Sequence, residues 1–263
     1  MRELPKNPKA ALIDLDGVLY VGGRAIPGAI EALAALRERL QGIRFLTNTT
    51  SRSRARIVRE LAELGFEIRE EEVLTPAALA AAYCRTRGYA KVELLVSDSL
   101  REDLDGLEEA ETGEHADAVV LGDLGDGFSA EILNRAFRRL MDGAQLLALG
   151  HNRYWRRKDG LALDVGAYSS ALEYGAQVEA VVLGKPSGEF FAQALRQLDS
   201  APEEAVMVGD DVEADVGGGL EAGIASVLVR TGKFEQRTLD SSGIEPTAVI
   251  DSIAALPDLI SGR

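Results

Sequence analysis

The sequence predicts an α/β protein with a mostly parallel sheet. Short apolar, β-branched runs alternate with amphipathic stretches along the whole chain, which is the pattern of strands joined by helical crossovers. The predicted strands cover residues 11–14, 43–47, 92–96, 118–121, 146–149, 181–183, 206–208 and 226–229. Apolar residues spaced three and four apart predict helices over 30–40, 54–64 and 131–140.

The composition narrows the classes of function. A net charge of −14 and a pI near 4.7 disfavour nucleic acid and anionic membranes as partners, so a small-molecule substrate is expected. The single cysteine, Cys84, forms no disulfide within the chain, and no apolar run is long enough to span a membrane, which together predict a reducing, cytoplasmic setting. Neither His115 nor His151 has zinc-ligand spacing, so any metal is expected to have oxygen ligands.

The residues that end the strands suggest two units, because ligands bind at the carboxyl ends of parallel strands. Strands near the N-terminus and in the last third end in charged or amide residues. The middle strands end in residues such as Asp98 and Asp123, which lack a complementary cation. We therefore predict a core over residues 1–75 and 181–263 and an inserted α/β unit over 76–180.

The first chemical motif is "LIDLDGVLY", in which Asp14 and Asp16 close an apolar strand. Residues i and i+2 of a strand point to one face, so the two carboxylates can converge on one site. The alternative is a strand that runs into an Asx-type turn at Gly17.

The second motif is Thr47-Asn48 in "FLTNTTSRSR", followed by a helix predicted to begin near Thr50 or Ser51. The unpaired N–H groups at such a helix start can bind an anion, and the same residues can equally serve as an ordinary N-cap.

The third motif is Lys185 in "VVLGKPSGEFF", held ahead of a helix by the following proline. With only six lysines against twenty-three arginines, a lysine here suggests a point charge for a phosphate or a carboxylate cluster. A surface lysine in a strand-to-helix loop is the alternative.

The fourth motif is the acidic group Asp210, Asp211 and Asp215 in "VMVGDDVEADVGGG". Adjacent acids repel unless a cation neutralises them, and a hard divalent cation such as Mg²⁺ explains the cluster. Asp215 is expected to support the site as an outer or helix N-terminal acid.

Taken in order, "DLDGVLY", "LTN", "GKPS" and "GDDVEAD" resemble the four motifs of the haloacid dehalogenase (HAD) superfamily of phosphotransferases. The long insertion between the second and third motifs resembles the large cap of the class IIA, NagD-like branch. The resemblance runs from about residue 10 to the C-terminus. It implies a Rossmann-like doubly wound core with an inserted α/β cap that selects the substrate, and a possible homodimer. Some members of this branch carry Ser or Asn at the position of Asp16.

The resemblance also implies roles for individual residues. Asp14 would be the nucleophile that forms an aspartyl phosphate, and Asp16 the general acid and base. Mg²⁺ would be bound by Asp14, the Asp16 carbonyl and Asp210, with Asp211 and Asp215 in a second shell. Thr47, Asn48 and Lys185 would bind the phosphoryl oxygens, and Lys185 would also neutralise Asp14 or Asp211.

Other interpretations stay open from the sequence. A mutase or another phosphotransferase of the same superfamily would use the same aspartyl phosphate, and a phosphate-binding module without catalysis would use only the site. A signalling receiver domain is disfavoured by motif order and chain length. The basic segment 153–158, "RYWRRK", could contact an anionic substrate or form an exposed hairpin or a subunit interface, and the acidic run 101–111 is expected to be solvated.

Overall fold

The computed structural model describes residues 3–157 and 160–262. The chain divides into two compact units by its internal contacts. Unit 1 comprises residues 1–47, 55–74 and 185–263, and unit 2 comprises 48–54 and 75–184. The boundaries predicted from the sequence are 75 and 181, with the segment 48–54 in the core.

In chain order, the strands of the described residues are β1 (Ala10–Asp14), β2 (Tyr20–Val21), β3 (Arg24–Ala25), β4 (Gly42–Leu46), β5 (Val73–Leu74), β6 (Lys91–Leu95), β7 (Glu108–Glu109), β8 (Ala118–Leu121), β9 (Gln145–Ala148), β10 (Tyr154–Arg157), β11 (Gly160–Leu163), β12 (Val181–Val182), β13 (Ala205–Gly209), β14 (Ala225–Val229) and β15 (Ala248–Ile250). The α-helices are α1 (Ala29–Arg39), α2 (Arg54–Glu63), α3 (Pro76–Arg87), α4 (Ala130–Met141), α5 (Val165–Ala176), α6 (Gly188–Gln197), α7 (Gly218–Glu221), α8 (Gln236–Ser242) and α9 (Leu256–Leu259).

Unit 1 is built on a six-stranded parallel sheet in the order β15-β14-β13-β1-β4-β5. From the central β1 the chain moves outward through β4 and β5, and it later returns to β13 beside β1 and moves outward the other way. The order of the strands therefore reverses between β1 and β13, and a doubly wound sheet has its ligand crevice at the carboxyl ends of the strands at this point.

The central strand β1 is buried along its whole length, as a parallel strand covered on both faces must be. Helix α1 packs one stripe toward the sheet, because its buried residues Ala29, Ala32, Leu33 and Leu36 recur at helical spacing. These residues join the side chains of β1, β4 and β13 in one continuous apolar core. The sheet edge that carries the strand ends is thereby held on a rigid, close-packed support.

Unit 2 has its own five-stranded parallel sheet, in the order β12-β9-β8-β6-β7, and a separate antiparallel hairpin of β10 and β11. Helices α4 and α5 cover the sheet through a second apolar core that includes Ala136, Leu140 and Leu172. The predicted α/β class with parallel sheets is confirmed. Among the described residues, no helix is both long and apolar enough to cross a membrane.

Two local expectations were wrong. The helix start expected near Thr50 or Ser51 is wrong, since α2 begins at Arg54, as the apolar spacing over 54–64 had predicted. Residues 50–52 form bends, and Thr49 Oγ1 lies 3.3 Å from Ser51 Oγ. The acidic run 101–111 is not wholly solvated, because the side chain of Asp103 is only 1% exposed.

Asp103 is buried because it has donors for both carboxylate oxygens. Its Oδ1 lies 3.1 Å from Arg54 Nε, and its Oδ2 accepts from the Arg54 backbone N–H at 3.1 Å and from Thr75 Oγ1 at 3.3 Å. A buried carboxylate is tolerated where it is paired and hydrogen-bonded in this way. Asp103 thus links the segment before α2 to the start of α3 within unit 2.

Candidate active site

Asp14 and Lys185 form a buried ion pair at the carboxyl end of β1. Asp14 is the last residue of the strand and Lys185 precedes α6, yet the Lys185 ammonium donates a hydrogen bond to Asp14 Oδ1. The two side chains are 10% and 3% exposed, respectively. The scarce lysine singled out from the sequence is therefore a partner of the first acid of "DLDG".

Asp215 holds Lys185 from a second side. Its Oδ1 lies 2.6 Å from Lys185 Nζ, and its Oδ2 accepts a hydrogen bond from the Asp211 backbone N–H at 3.1 Å. Its side chain is 1% exposed, with Oδ1 in the ion pair and Oδ2 in the hydrogen bond. This arrangement favours the supporting role predicted for Asp215 over a direct role toward a ligand.

Asp210 follows β13, the neighbour of β1, and it is enclosed by two glycines. Its Oδ2 accepts from the Lys233 backbone N–H at 2.6 Å. A Cβ at either Gly17 or Gly232 would lie 2.0 Å from this same oxygen, and both glycines have positive φ, at +92° and +63°. Side chains at these two positions are therefore excluded by close approach and by backbone conformation alike.

The cluster carries more negative than positive charge. Asp14, Asp210 and Asp215 each place a carboxylate oxygen within 4.8 Å of the others, and Lys185 is the ammonium in contact with them. Burial raises the pKa of Asp14 to about 8 despite the opposing effect of Lys185, and burial likewise raises the pKa of Asp210 to about 6. Burial disfavours the ammonium of Lys185, but Asp14 and Asp215 outweigh it and raise the pKa of the lysine.

These features fit a divalent cation with oxygen ligands. Three carboxylates and one ammonium leave a formal charge of −2 in a buried site, which is the charge that Mg²⁺ neutralises. Asp14 uses Oδ1 for Lys185 and Asp210 uses Oδ2 for Lys233, and a carboxylate oxygen of Asp14 lies within 4.8 Å of one of Asp210. The carboxylate oxygens of this cluster could therefore hold a metal ion.

Asp211 has a different environment from its neighbour Asp210. Its Oδ1 accepts from the backbone N–H groups of Glu213 and Ala214 at 3.1 and 3.0 Å, and it thereby caps the π-helical turn that carries Asp215. The cation nearest to it is Lys233, with 3.6 Å between Nζ and Oδ2. Of the two partners considered for Lys185, the structure shows Asp14, together with Asp215.

Asp16 lies beyond the strand rather than on it. β1 ends at Asp14, and Asp16 forms an isolated bridge with Tyr20, its side chain exposed where that of Asp14 is buried. The i, i+2 strand geometry expected from the sequence does not apply, since the turn alternative describes the backbone here. The pair therefore consists of one buried and one solvated carboxyl.

Thr47 and Asn48 are separated by the division into units. Thr47 follows β4, one residue past the Leu46 that pairs with Asp14, so it lies at the same sheet edge and is 8% exposed. Asn48 belongs to unit 2, where a Cβ on Gly184 would lie 3.1 Å from its Oδ1.

The sequence did not predict that Gly17, Gly232 and Lys233 lie around Asp210. The last two lie in "VRTGKF", directly after the buried strand β14. The available signal was one more polar strand end at the same edge of the sheet, containing one of the six lysines of the chain.

The strand-end acids of unit 2 have local structural roles. Asp98 is fully exposed and lies 3.2 Å from Arg101, and Asp123 accepts a hydrogen bond from the Gly125 backbone N–H at 2.8 Å. Of the basic segment, Tyr154–Arg157 is a strand of the hairpin, and Lys158 lies outside the described residues.

Comparison with known proteins agrees with the motif resemblance. A model of haloacid dehalogenase-like hydrolases matches residues 11–108, and a second model, of HAD-hydrolase-like proteins, matches 182–256. The chain belongs to the haloacid dehalogenase-like hydrolases and, within them, to the class IIA, NagD-like phosphatases. The predicted family membership is confirmed.

Particular relatives are similar over nearly the whole chain. Phospholysine phosphohistidine inorganic pyrophosphate phosphatase from Bos taurus is 40% identical, covering 96% of this chain and 94% of the relative. Haloacid dehalogenase-like hydrolase domain-containing protein 2 from Homo sapiens is 44% identical, covering 90% and 89%. Among solved structures, the p-nitrophenyl phosphatase from Archaeoglobus fulgidus matches with a TM-score of 0.88 at 30% identity, covering 96% of this chain and 99% of that one.

Proposed function

We propose that the chain is a Mg²⁺-dependent phosphatase that hydrolyses a small phosphorylated substrate through an aspartyl phosphate on Asp14. The observation that carries this proposal is the buried Asp14 carboxylate at the strand-order reversal, held by Lys185 beside Asp210. Membership in a family of phosphatases supports the reaction class, and the names of two relatives describe phosphate-ester or pyrophosphate hydrolysis.

In this proposal Asp14 attacks phosphorus and the bond to the leaving oxygen breaks, which divides a difficult displacement into two steps. Asp16 donates a proton to the leaving oxygen and then takes one from the water that cleaves the aspartyl phosphate. Its exposed position is compatible with proton exchange, whereas Asp14 is held in one orientation by Lys185. Thr47, Asn48 and Lys185 bind the phosphoryl oxygens.

The carboxylates of Asp14 and Asp210 and the main-chain carbonyl of Asp16 would hold Mg²⁺. The ion supplies positive charge that reduces the repulsion between an anionic nucleophile and an anionic phosphate. Asp215 and Asp211 then act through other residues. Asp215 holds Lys185 in place, and Asp211 caps the turn that positions Asp215. Unit 2 is proposed to select the substrate, as caps do in this branch.

The test measures phosphate release with Mg²⁺ for the wild type, Asp14→Asn and Asp16→Asn, using p-nitrophenyl phosphate and glycerol 3-phosphate. Asp14→Asn should lower kcat by about ten-thousand-fold or more on both substrates, because it removes the nucleophile. Its thermal unfolding should stay cooperative, because the amide keeps the shape of the side chain and Lys185 keeps Asp215 as a partner.

Asp16→Asn should discriminate between the two substrates. An alkoxide leaves poorly without a proton, whereas p-nitrophenolate is a stable anion, so the glycerol phosphate reaction should lose at least about tenfold more. Equal losses would contradict the acid role of Asp16. Absence of phosphate release by the wild type across a broad panel of phosphorylated metabolites would contradict catalysis and leave phosphate binding as the function.

A further inference from the structure

Lys233 is a second lysine at the same sheet edge. Its backbone N–H is held by the acidic cluster, whereas its side chain is exposed. Its backbone N–H is fixed on Asp210 Oδ2 at 2.6 Å, which anchors the loop after β14 to the acidic cluster. Its side chain is 73% exposed, and the ammonium lies 3.6 Å from the nearest carboxylate oxygen, Asp211 Oδ2. The loop thus holds a positive charge beside the cluster without burying it.

The ion pair with Asp211 contributes too little to stability to explain why a lysine occupies position 233. An exposed pair at 3.6 Å contributes little to stability, and Asp211 is already engaged as a cap by two backbone N–H groups. Lys185, by contrast, is buried between two carboxylates at hydrogen-bonding distance. Within the described part of the chain, Lys185 is therefore held by two buried carboxylates, whereas the Lys233 ammonium faces solvent.

Lys233 keeps its charge at neutral pH. A lysine ammonium exposed to solvent carries its proton at neutral pH. The loop that bears it is tied to Asp210, which has a carboxylate oxygen within 4.8 Å of one of Asp14. An anion attached to a phosphoryl group at Asp14 would meet a positive potential at Lys233 in an otherwise acidic protein.

We propose that Lys233 is a specificity-determining residue that binds an anionic leaving group, and so favours substrates in which the scissile phosphoryl group is joined to a second phosphate. This rests on the proposed function. With pyrophosphate, Asp14 bonds to one phosphorus, the bridging P–O bond breaks, and its electron pair leaves on inorganic phosphate. Water then cleaves the aspartyl phosphate to release the second phosphate. Lys233 stabilises the charge that grows on the leaving phosphate, so it acts more strongly in the transition state than on the bound substrate.

The experiment compares kcat and KM for pyrophosphate and p-nitrophenyl phosphate, with Mg²⁺, in the wild type, Lys233→Met and Lys233→Arg. Lys233→Met keeps the aliphatic stem and the backbone N–H to Asp210, and removes only the charge. We expect the ratio of kcat/KM for pyrophosphate to that for p-nitrophenyl phosphate to fall at least about tenfold, with kcat contributing to the loss. Lys233→Arg should keep the ratio within about threefold of the wild type.

Two further variants separate recognition from a structural role. Lys9→Met removes another exposed lysine of unit 1, one that pairs with Glu204 before β13, and should leave the ratio unchanged. If Lys233 served only to neutralise Asp211, adding Asp211→Asn to Lys233→Met would restore the ratio. We expect no such restoration, and finding it would overturn the proposal.

The remaining outcomes distinguish failure of the role proposed for Lys233 from failure of the proposed phosphatase function. A wild type that hydrolyses p-nitrophenyl phosphate but not pyrophosphate, or a Lys233→Met enzyme with equal losses on both, overturns the role of Lys233 alone. A wild type that releases phosphate from neither substrate overturns the proposed function and the inference with it.

Discussion

Lys185→Met should destabilise the protein strongly, because it leaves two buried carboxylates without their cation. The ammonium contacts Asp14 and Asp215, whose side chains are 10% and 1% exposed, and is itself 3% exposed. Removing one partner of a buried pair costs about 3–5 kcal/mol, far more than the pair contributes relative to apolar residues. In a protein of this size that loss corresponds to roughly 6–15 °C in Tm.

The loss of stability in Lys185→Met should depend on pH, in a direction that follows from the pKa shifts of the buried groups. Lys185 has a raised pKa, so its own contribution is fully present at and below neutral pH and is lost only in strong alkali. Asp14 and Asp210 also have raised pKa values, of about 8 and about 6, so the folded state favours their protonated forms and loses stability as pH rises through those values. Without Lys185 the carboxylates need protons more, so the destabilisation should be larger at pH 8 than at pH 5.

The assay is urea unfolding followed by circular dichroism, with a chelator present, at pH 5 and pH 8. Lys9→Met is the matched control, since Lys9 lies 2.5 Å from Glu204 on the surface with the two side chains 47% and 34% exposed, and no measurable change is expected. A loss below about 1 kcal/mol at pH 8, or an equal loss at both pH values, would refute the account of a buried, uncompensated carboxylate cluster.

Three further predictions concern other parts of the site and the fold. We expect Mg²⁺ to raise the Tm of the wild type, and Gly232→Ala should abolish that rise because its Cβ would lie 2.0 Å from Asp210 Oδ2. Gly22→Ala, with positive φ but nothing within 4 Å of the added Cβ, should keep the rise and show the backbone strain alone. The apparent affinity for Mg²⁺, measured by calorimetry, should fall as pH is lowered from 8 to 6, because burial raises the pKa of Asp14 and Asp210 and protons then compete with the metal; a pH-independent affinity would count against these ligands. Asp103→Asn should lower the free energy of unfolding by about 1–3 kcal/mol in chemical denaturation, since a buried acceptor of charged and neutral donors is lost, and an unchanged midpoint would show that the contact does not matter.

The sequence predicted the strand ends better than it predicted what happens just after them. Buried parallel strands are continuous apolar runs, so their ends at Asp14, Thr47 and Asp210 were visible as the first polar residues. The edge strands β5 and β15, of two and three residues, were not predicted from the sequence.

The errors share a cause. The start of α2 and the solvation of Asp103 both depend on contacts that local patterns do not encode. Asp103 was assigned to the surface from the acids around it, and its burial is decided by Arg54 and Thr75, which are distant in sequence.

The sequence by itself determined the α/β class, the family and most of the chemical groups of the site, because hydrophobic periodicity and motif residues are local properties. Only the tertiary structure decided which charges meet. The reversal of strand order brings Asp14 beside Asp210, although they are far apart in the chain. The buried Lys185 then forms ion pairs with Asp14 and Asp215 rather than with Asp211. The close enclosure of Asp210 depends on Gly17 and Gly232 in two separate loops, so it exists only once the loops have been folded together.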